Sequence, residues 1–372
     1  MPHATGDAHH QGMPSTVQIE RHDARTAPLD VRLAGAHLRA AAYAVSFPED
    51  PPMIPEADAE DLRHVTPGED VQLFLARDER GEPVGWATLG YSTEQNLHIA
   101  FADVLVHPDH TRRGVGRALA AAVLDAARAE GRRTITVWTG SRRPAGEAFA
   151  RALGAEPALP MISNELRLDA LDAALLARWT ARPDSEPYRL HHFTRIPEAY
   201  LERTAQVMMV MNTAPKGDLD MDDWTITPEM IRAWEDSVAA AGEQRHLMAV
   251  EHLPTGELVA YTEVFWSPQR APLVYQGATA VRPDHRGRGL GKWLKASMLQ
   301  HVRAHCPGAA RVRTGNADVN AAMLGINHAL GFAPFMTRTE WQGDVQALTE
   351  RLHALGATPS HRQPEQPARP AR

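Results

Sequence analysis

The chain has 372 residues, a formal net charge of −7, 43% hydrophobic and 23% charged side chains, and one cysteine, Cys306. That length allows two globular domains with a core in each. A lone cysteine excludes an internal disulfide and a cysteine-built zinc cage. The acidic balance gives no overall electrostatic reason to bind nucleic acid, and no apolar run reaches membrane-spanning length, so a cytoplasmic protein that uses neither nucleic acid nor a membrane is expected.

The opening residues 1–15 and the closing stretch "GATPSHRQPEQPARPAR" (356–372) are polar or proline-rich, and disordered tails are expected there. His3, His9 and His10 have no carboxylate or cysteine partner at ligand spacing, so no metal is expected. A helical stretch at 28–46 leads to the strand "VQLFLARD", a glycine turn and the strand "VGWATLGY", which read as a hairpin. A third strand, "LHIAFADVLV", runs into "VHPDHTRRGVG" (106–116), where the period changes: Val115, Leu119 and Val123 recur every four residues, marking a helix with one apolar stripe. The strand "RRTITVWT" and a short helix follow. "ARPDSEP" (181–187) reads as a linker between domains at 16–180 and 188–355.

The second domain repeats the first. Helical sequence at 197–213 and 228–241 precedes the hairpin strands "HLMAVEH" and "LVAYTEVFW"; the third strand, "PLVYQGATAV", ends in "VRPDHRGRGLG" (281–291). A helix striped by Leu290, Leu294, Met298 and Val302 comes next, then the strand "ARVRTGN". Eight of fourteen positions from 106 to 119 recur at an offset of 175, and "ALGA" at 152 returns as "ALGF" at 329. The chain is a tandem duplication.

A strand that enters a glycine loop and then a helix presents unpaired amides at the positive end of the helix dipole, an arrangement that binds phosphate oxygens. Gly287, Gly289 and Gly291 allow close approach, and Arg286, Arg288 and Lys292 add cations. The spacing fits neither the nucleotide P-loop nor the dinucleotide fingerprint. It resembles the GNAT superfamily of acyl-CoA-dependent N-acyltransferases, through Arg/Gln-x-x-Gly-x-Gly/Ala after a strand ending in Val-x-Pro. The resemblance covers both halves and implies an α/β fold of the α+β type: two tandem domains, each a mixed, mostly antiparallel sheet flanked by helices. It also implies acetyl-CoA as co-substrate, no metal, and acetyl transfer to the primary amine of a small molecule by a monomer or homodimer. A protein-amine acetyltransferase and a non-catalytic acyl-CoA sensor are the alternatives.

Carried onto this chain, the family pattern places the coenzyme at Val281, Arg286, Gly287, Arg288, Gly289, Leu290, Gly291 and Lys292, with Asn316 and Asn320 downstream. A second coenzyme site falls at Val106, Arg112, Arg113, Gly114 and Gly116, but Thr111 replaces the leading Arg/Gln and no asparagine follows, so the second half is expected to be catalytic and the first degenerate. Many members carry a tyrosine acid four residues before Gly-Phe, where this chain has Asn327; a family base often stands six residues before the valine, where it has Tyr275. Asn327 cannot donate a proton as an acid, which leaves solvent, Tyr275 or Tyr261. Glu263 is the nearest acidic candidate for the base, acting through water, or else an ordinary solvent-facing strand residue. The run Asp218, Asp220, Asp222 and Asp223 offers charge for a cationic amine or serves as a solvated face, and Trp224, Trp234, Phe265 and Trp266 wall a pocket or fill a core.

Overall fold

The computed structural model describes residues 17–183 and 185–356; the tails, Gly356 apart, and His3, His9 and His10 lie outside the described residues. The first half runs β1 (Gln18–Asp23), α1 (Leu29–Ser46), α2 (Pro55–Asp61), β2 (Glu69–Arg77), β3 (Pro83–Ser92), β4 (Ile99–Val106), α3 (Val115–Ala129), β5 (Thr134–Gly140), α4 (Pro144–Leu153), β6 (Glu156–Arg167) and α5 (Ala173–Thr180). The second runs β7 (Tyr188–Phe193), α6 (Glu198–Met208), α7 (Pro228–Ala240), β8 (Gln244–His252), β9 (Glu257–Trp266), β10 (Leu273–Val281), α8 (Leu290–His305), β11 (Arg311–Ala317), α9 (Ala321–Leu330), β12 (Ala333–Asp344) and α10 (Val345–Ala354). Among the described residues no helix is long and apolar enough to cross a membrane.

The strands of the described residues join one twelve-stranded sheet, in the order β1-β2-β3-β4-β5-β12-β6-β11-β10-β9-β8-β7. Within each half the strands pair antiparallel except β4 with β5 and β10 with β11, which are parallel. The centre is built by exchange. β12, the last strand of the second half, lies between β5 and β6 of the first, and β6 lies against β11 of the second.

The helix after each exchanged strand crosses with it. The α3 stripe packs Leu119 and Val123 in one core with Leu348 and Leu352 of α10, while α8 packs Leu294, Leu299 and Val302 with Leu168 and with Leu176 of α5. The predicted stripe Leu290, Leu294, Met298 and Val302 is buried in full. On the opposite sheet face α1 covers the first half, and α6 and α7 cover the second. A polar network also crosses the middle: Arg313 of β11 pairs with Asp50, just after α1, at 2.7 and 2.8 Å, and with Glu165 of β6 at 2.7 Å.

Each fully buried aliphatic side chain contributes about 1.5–3 kcal/mol, against a total stability of about 5–15 kcal/mol for an ordinary domain. Losing Leu166, Leu168 and Leu176 from the core of the second half therefore removes most of its margin. Residues 185–356 expressed alone should be insoluble or should associate through the bare edge of β11, and co-expression with 17–183 should restore a soluble complex. A monomeric fragment with a cooperative melt would contradict this account of the exchange.

Candidate active site

β10 stays beside β11 only from Leu273 to Gln276, opposite Arg311 to Thr314. Beyond that β11 continues with β6, from Gly315 opposite Ser163, and the two parallel strands part. On its other side β10 slips in register against β9 between Gln276 and Thr279, a bulge containing Gly277 and Ala278. A Cβ on Gly277 would stand 2.8 Å from Glu263 Cγ and 3.0 Å from the Phe265 ring, so only glycine fits there.

Past Val281 the chain makes a short turn at Pro283–His285 and takes left-handed backbone at Gly287 (φ 77°) and Gly289 (φ 76°) before α8 begins. Gly289 caps the helix with no side-chain hydrogen bond, and no acid stands in the first turn. The first amides of α8 are thus left to another acceptor, at the positive end of a sixteen-residue helix. Arg286 folds back, its Nε donating to Val281 O at 3.0 Å and its Nη2 to Thr213 Oγ1 at 2.8 Å. Arg288 donates to the Tyr188 hydroxyl at 3.2 Å. Lys292 turns aside, with Nζ 5.3 Å from the centre of the Trp179 ring, and Leu290 is a core residue that offers only its backbone.

One cation here comes from the stretch read as a linker. Arg182 lies over the Trp293 ring, pairs with Glu186 and donates from Nη1 to Arg288 O at 3.0 Å. No local pattern marks its place at the loop, because Trp293 and Arg288, which hold it there, are more than a hundred residues away.

The asparagines divide their work. Asn320 caps α9, accepting from Met323 N at 3.2 Å. Asn327 is fully buried and donates from Nδ2 to Asn316 Oδ1 at 2.7 Å, which commits that oxygen and leaves the Asn316 amide nitrogen as the end that can meet a ligand.

Glu263 is buried rather than solvent-facing. Its Oε2 accepts from Arg245 Nε at 2.8 Å and Nη2 at 2.7 Å, and its stem covers Gly277. A buried ion pair is costly to desolvate and is seldom a net stabiliser. Tyr275 lies on the same face, its hydroxyl 3.0 Å from that of Tyr43 in α1. Tyr43 donates to Asp50 at 2.6 Å, and burial, with Tyr275 beside it, pushes its phenol far up, so Tyr43 keeps its proton and Tyr275 must donate to Tyr43. The Tyr275 proton is committed. Burial likewise drives the Tyr261 phenol well above its ordinary value.

Two clefts open on this face. One, of about 300 Å³, lies between α2, α7 and the end of β9, lined by Asp58, Asp61, Glu243, Phe265 and Arg270. Burial pushes the Asp58 and Glu243 carboxyls up. The other, of about 430 Å³, lies between the segment after α6 and the central strands, walled by Met208, Met211, Trp224 and Trp234 with Glu69 and Glu340. Trp266 is core. The acidic run lines neither amine-sized space in the way its charge suggests: Asp218 N donates to Ala158 O, Asp220 meets His98, Asp222 is tied through its backbone to Asn96, and Asp223 pairs with Lys216. It docks its segment onto the first half.

The first half repeats the trace with four differences. β4 pairs with β3 from Phe101 to Val106 without a register slip, so no bulge forms. Arg112, the counterpart of Gly287, holds a left-handed φ of 64°, beside Gly114 at 87°. Asp103 stands where the second half has Ala278, its carboxyl pushed up by burial against the pull of Arg39 and Arg143. Thr111 only donates to Pro108 O at 3.2 Å. Arg113 is exposed, and Gly116 packs against Val106.

The sequence profile of the acetyltransferase (GNAT) family matches residues 39–155 and again 211–332. The chain belongs to the GNAT acetyltransferase family. Among curated relatives it is 26% identical to a mycothiol acetyltransferase of Saccharopolyspora erythraea over 291 residues, 73% of this chain and 84% of that protein. It is 29% identical to a mycothiol acetyltransferase of Streptomyces coelicolor, over 73% of this chain and 80% of that one. Among solved structures it resembles a tandem GNAT protein from the clavulanic acid biosynthesis pathway, with TM-score 0.73 and 26% identity over 89% of this chain and 99% of that one. As a member of the family the chain is an acyl-CoA-dependent N-acetyltransferase: it uses acetyl-CoA and acetylates an amine.

A non-glycine residue in left-handed backbone costs about 1 kcal/mol or more. Arg112→Gly should therefore raise stability by about 1 kcal/mol in urea unfolding, through the folded state. A loss of stability would show that the Arg112 side chain makes a compensating contact.

Proposed function

We propose that the second half carries the reaction, moving an acetyl group from acetyl-CoA to the primary amine of a small molecule of the mycothiol type, and that the first half is a degenerate partner. The observation that supports this most is the combination, in the second half alone, of the bulge at Gly277, a loop with glycine at both left-handed positions, and a buried carboxylate against the bulge.

The uncapped start of α8 suits a diphosphate: the amides of Gly287 to Gly291 donate, and Arg286, Arg288 and Arg182 balance its charge. Lys292 is left out of that set, since its ammonium rests on Trp179. Acetyl-CoA supplies the acetyl group as an activated thioester. Beyond the point where β11 departs, the β10 main chain from Gly277 to Val281 offers strand-like pairing to the pantetheine arm. A backbone N–H aimed at the developing oxyanion contributes about 3–4 kcal/mol to the rate. Asn327 positions Asn316, whose amide donates to the same arm.

The amine reaches the thioester from the α6 and α7 face, through the cleft that ends at Phe265, where Asp58, Asp61 and Glu243 favour a cationic group. A primary amine with a pKa near ~10.4 arrives mostly protonated. Glu263 draws that proton through a water, the neutral amine nitrogen bonds to the carbonyl carbon, the adduct's nitrogen gives its second proton to solvent as the carbon–sulfur bond breaks, and the thiolate takes a proton from solvent. Neither Asn327 nor Tyr275 supplies it: the first has no acidic proton and the second is bound to Tyr43.

Thiol release from acetyl-CoA, followed across a panel of amines, tests the reading. Turnover is expected with acceptors of the mycothiol type, and Glu263→Gln should lower kcat by about 100-fold with the KM for acetyl-CoA little changed. Arg286→Ala should weaken coenzyme A binding by about 10- to 100-fold in calorimetry, while Arg113→Ala leaves it as it was. Equal losses at the two arginines would defeat the assignment of the active half, and binding without turnover for any amine would favour a sensor.

A further inference from the structure

Three histidines far apart in sequence meet at the edge of the second half, well down α8 from its glycine loop. His192 is on the edge strand β7, His246 on β8 and His301 on α8, and their ligand atoms lie within 4.8 Å of one another. His246 Nδ1 is 3.2 Å from His192 Nε2 and 3.1 Å from His301 Nε2. A single ring nitrogen carries either one lone pair or one proton, so it can pair fully with only one of these neighbours. Three convergent nitrogens of which one stays poorly matched are what a cation would resolve. Two nitrogens bound to one tetrahedral zinc, each at 2.0–2.1 Å, stand about 3.3 Å apart, close to both measured separations.

The surroundings fit the same reading. Cys306 Sγ lies 3.9 Å from His246 Nε2, on the far side of the ring, and so holds it with Nδ1 turned toward the other two histidines; outer partners of this kind orient metal-binding imidazoles. His305 stacks on His301 with ring centres 4.3 Å apart and donates from Nδ1 to the His301 carbonyl at 3.1 Å, which fixes that ring's neighbourhood too.

The duplication supplies an internal control. His22 stands opposite Leu73 as His192 stands opposite Met248, but the counterparts of His246 and His301 are Val71 and Ala126. The fold is thus satisfied by apolar side chains at these positions, and the imidazoles need another reason. Linear spacing hides them, since no two belong to the same element.

We propose that His192, His246 and His301 form a site for a divalent transition metal of the zinc class, with a fourth position open to solvent beside the exposed His192, fastening edge strand β7 and β8 to α8. An all-imidazole donor set selects against magnesium and calcium, which take oxygen ligands. The site lies apart from the acetyl-transfer residues and does not depend on their assignment.

The test uses the full chain, stripped of metal by chelator and titrated with zinc in equilibrium dialysis, with cobalt as a spectroscopic probe. A single tight equivalent is expected, with visible cobalt absorption of tetrahedral intensity and a zinc-dependent rise in Tm. His246→Val, which installs the residue of the first half, should weaken binding by about 100-fold or more and remove the Tm rise. His192→Leu, at an exposed position where folding is not at stake, should do the same. A variant with His3, His9 and His10 all changed to Ala should bind as the parent does. Binding that survives His246→Val and His192→Leu, or that disappears only with the three N-terminal histidines, would overturn the proposal.

Discussion

The site depends on a parallel strand pair that comes apart halfway. Once β11 leaves β10 after Gln276, the main chain from Gly277 to Val281 has a ladder partner on one side only, and the chain then turns into a helix whose first amides no side chain caps. Unsatisfied backbone groups are costly when buried and useful when a ligand completes them. The glycines and the bulge leave that opening clear, and Arg286, Arg288 and Arg182 stand around it.

The parting is maintained from outside the second half. β11 can leave β10 because β6, from the first half, is there to receive it, and in exchange β12 occupies the place beside β5. The second half is therefore completed by its duplicate, through β6, through α5 on α8, and through α1, whose Tyr43 binds Tyr275, and the turn after it, whose Asp50 binds Arg313. The first half, without a bulge and with Arg112 and Asp103 in place, agrees with the division proposed above.

Elements whose pattern is local were legible in the sequence. The stripe Leu290, Leu294, Met298 and Val302 announced α8, and the hairpin strands fell where alternation and glycine turns put them, because periodicity and turn chemistry are short-range. The exchanged strands were not legible. "EPALPMISNELR" contains two prolines and little alternation, and what makes it β6 is the pairing with β11 and β12, which no window of sequence contains. The site followed the same rule. The glycine loop could be read from its spacing, whereas Arg182, the Asn327–Asn316 bond and the ion pair that buries Glu263 exist only through tertiary contact. Charge left two readings open at Asp218 to Asp223, and the structure shows a solvated face: all four are exposed, on a segment tied down at Asn96, His98 and Lys216.

Which helix start grasps the diphosphate can be read from its amides directly. Hydrogen exchange with and without acetyl-CoA should show new protection across residues 287–292, with 112–117 unchanged. Protection at the first loop in place of the second, or at neither, would contradict the account.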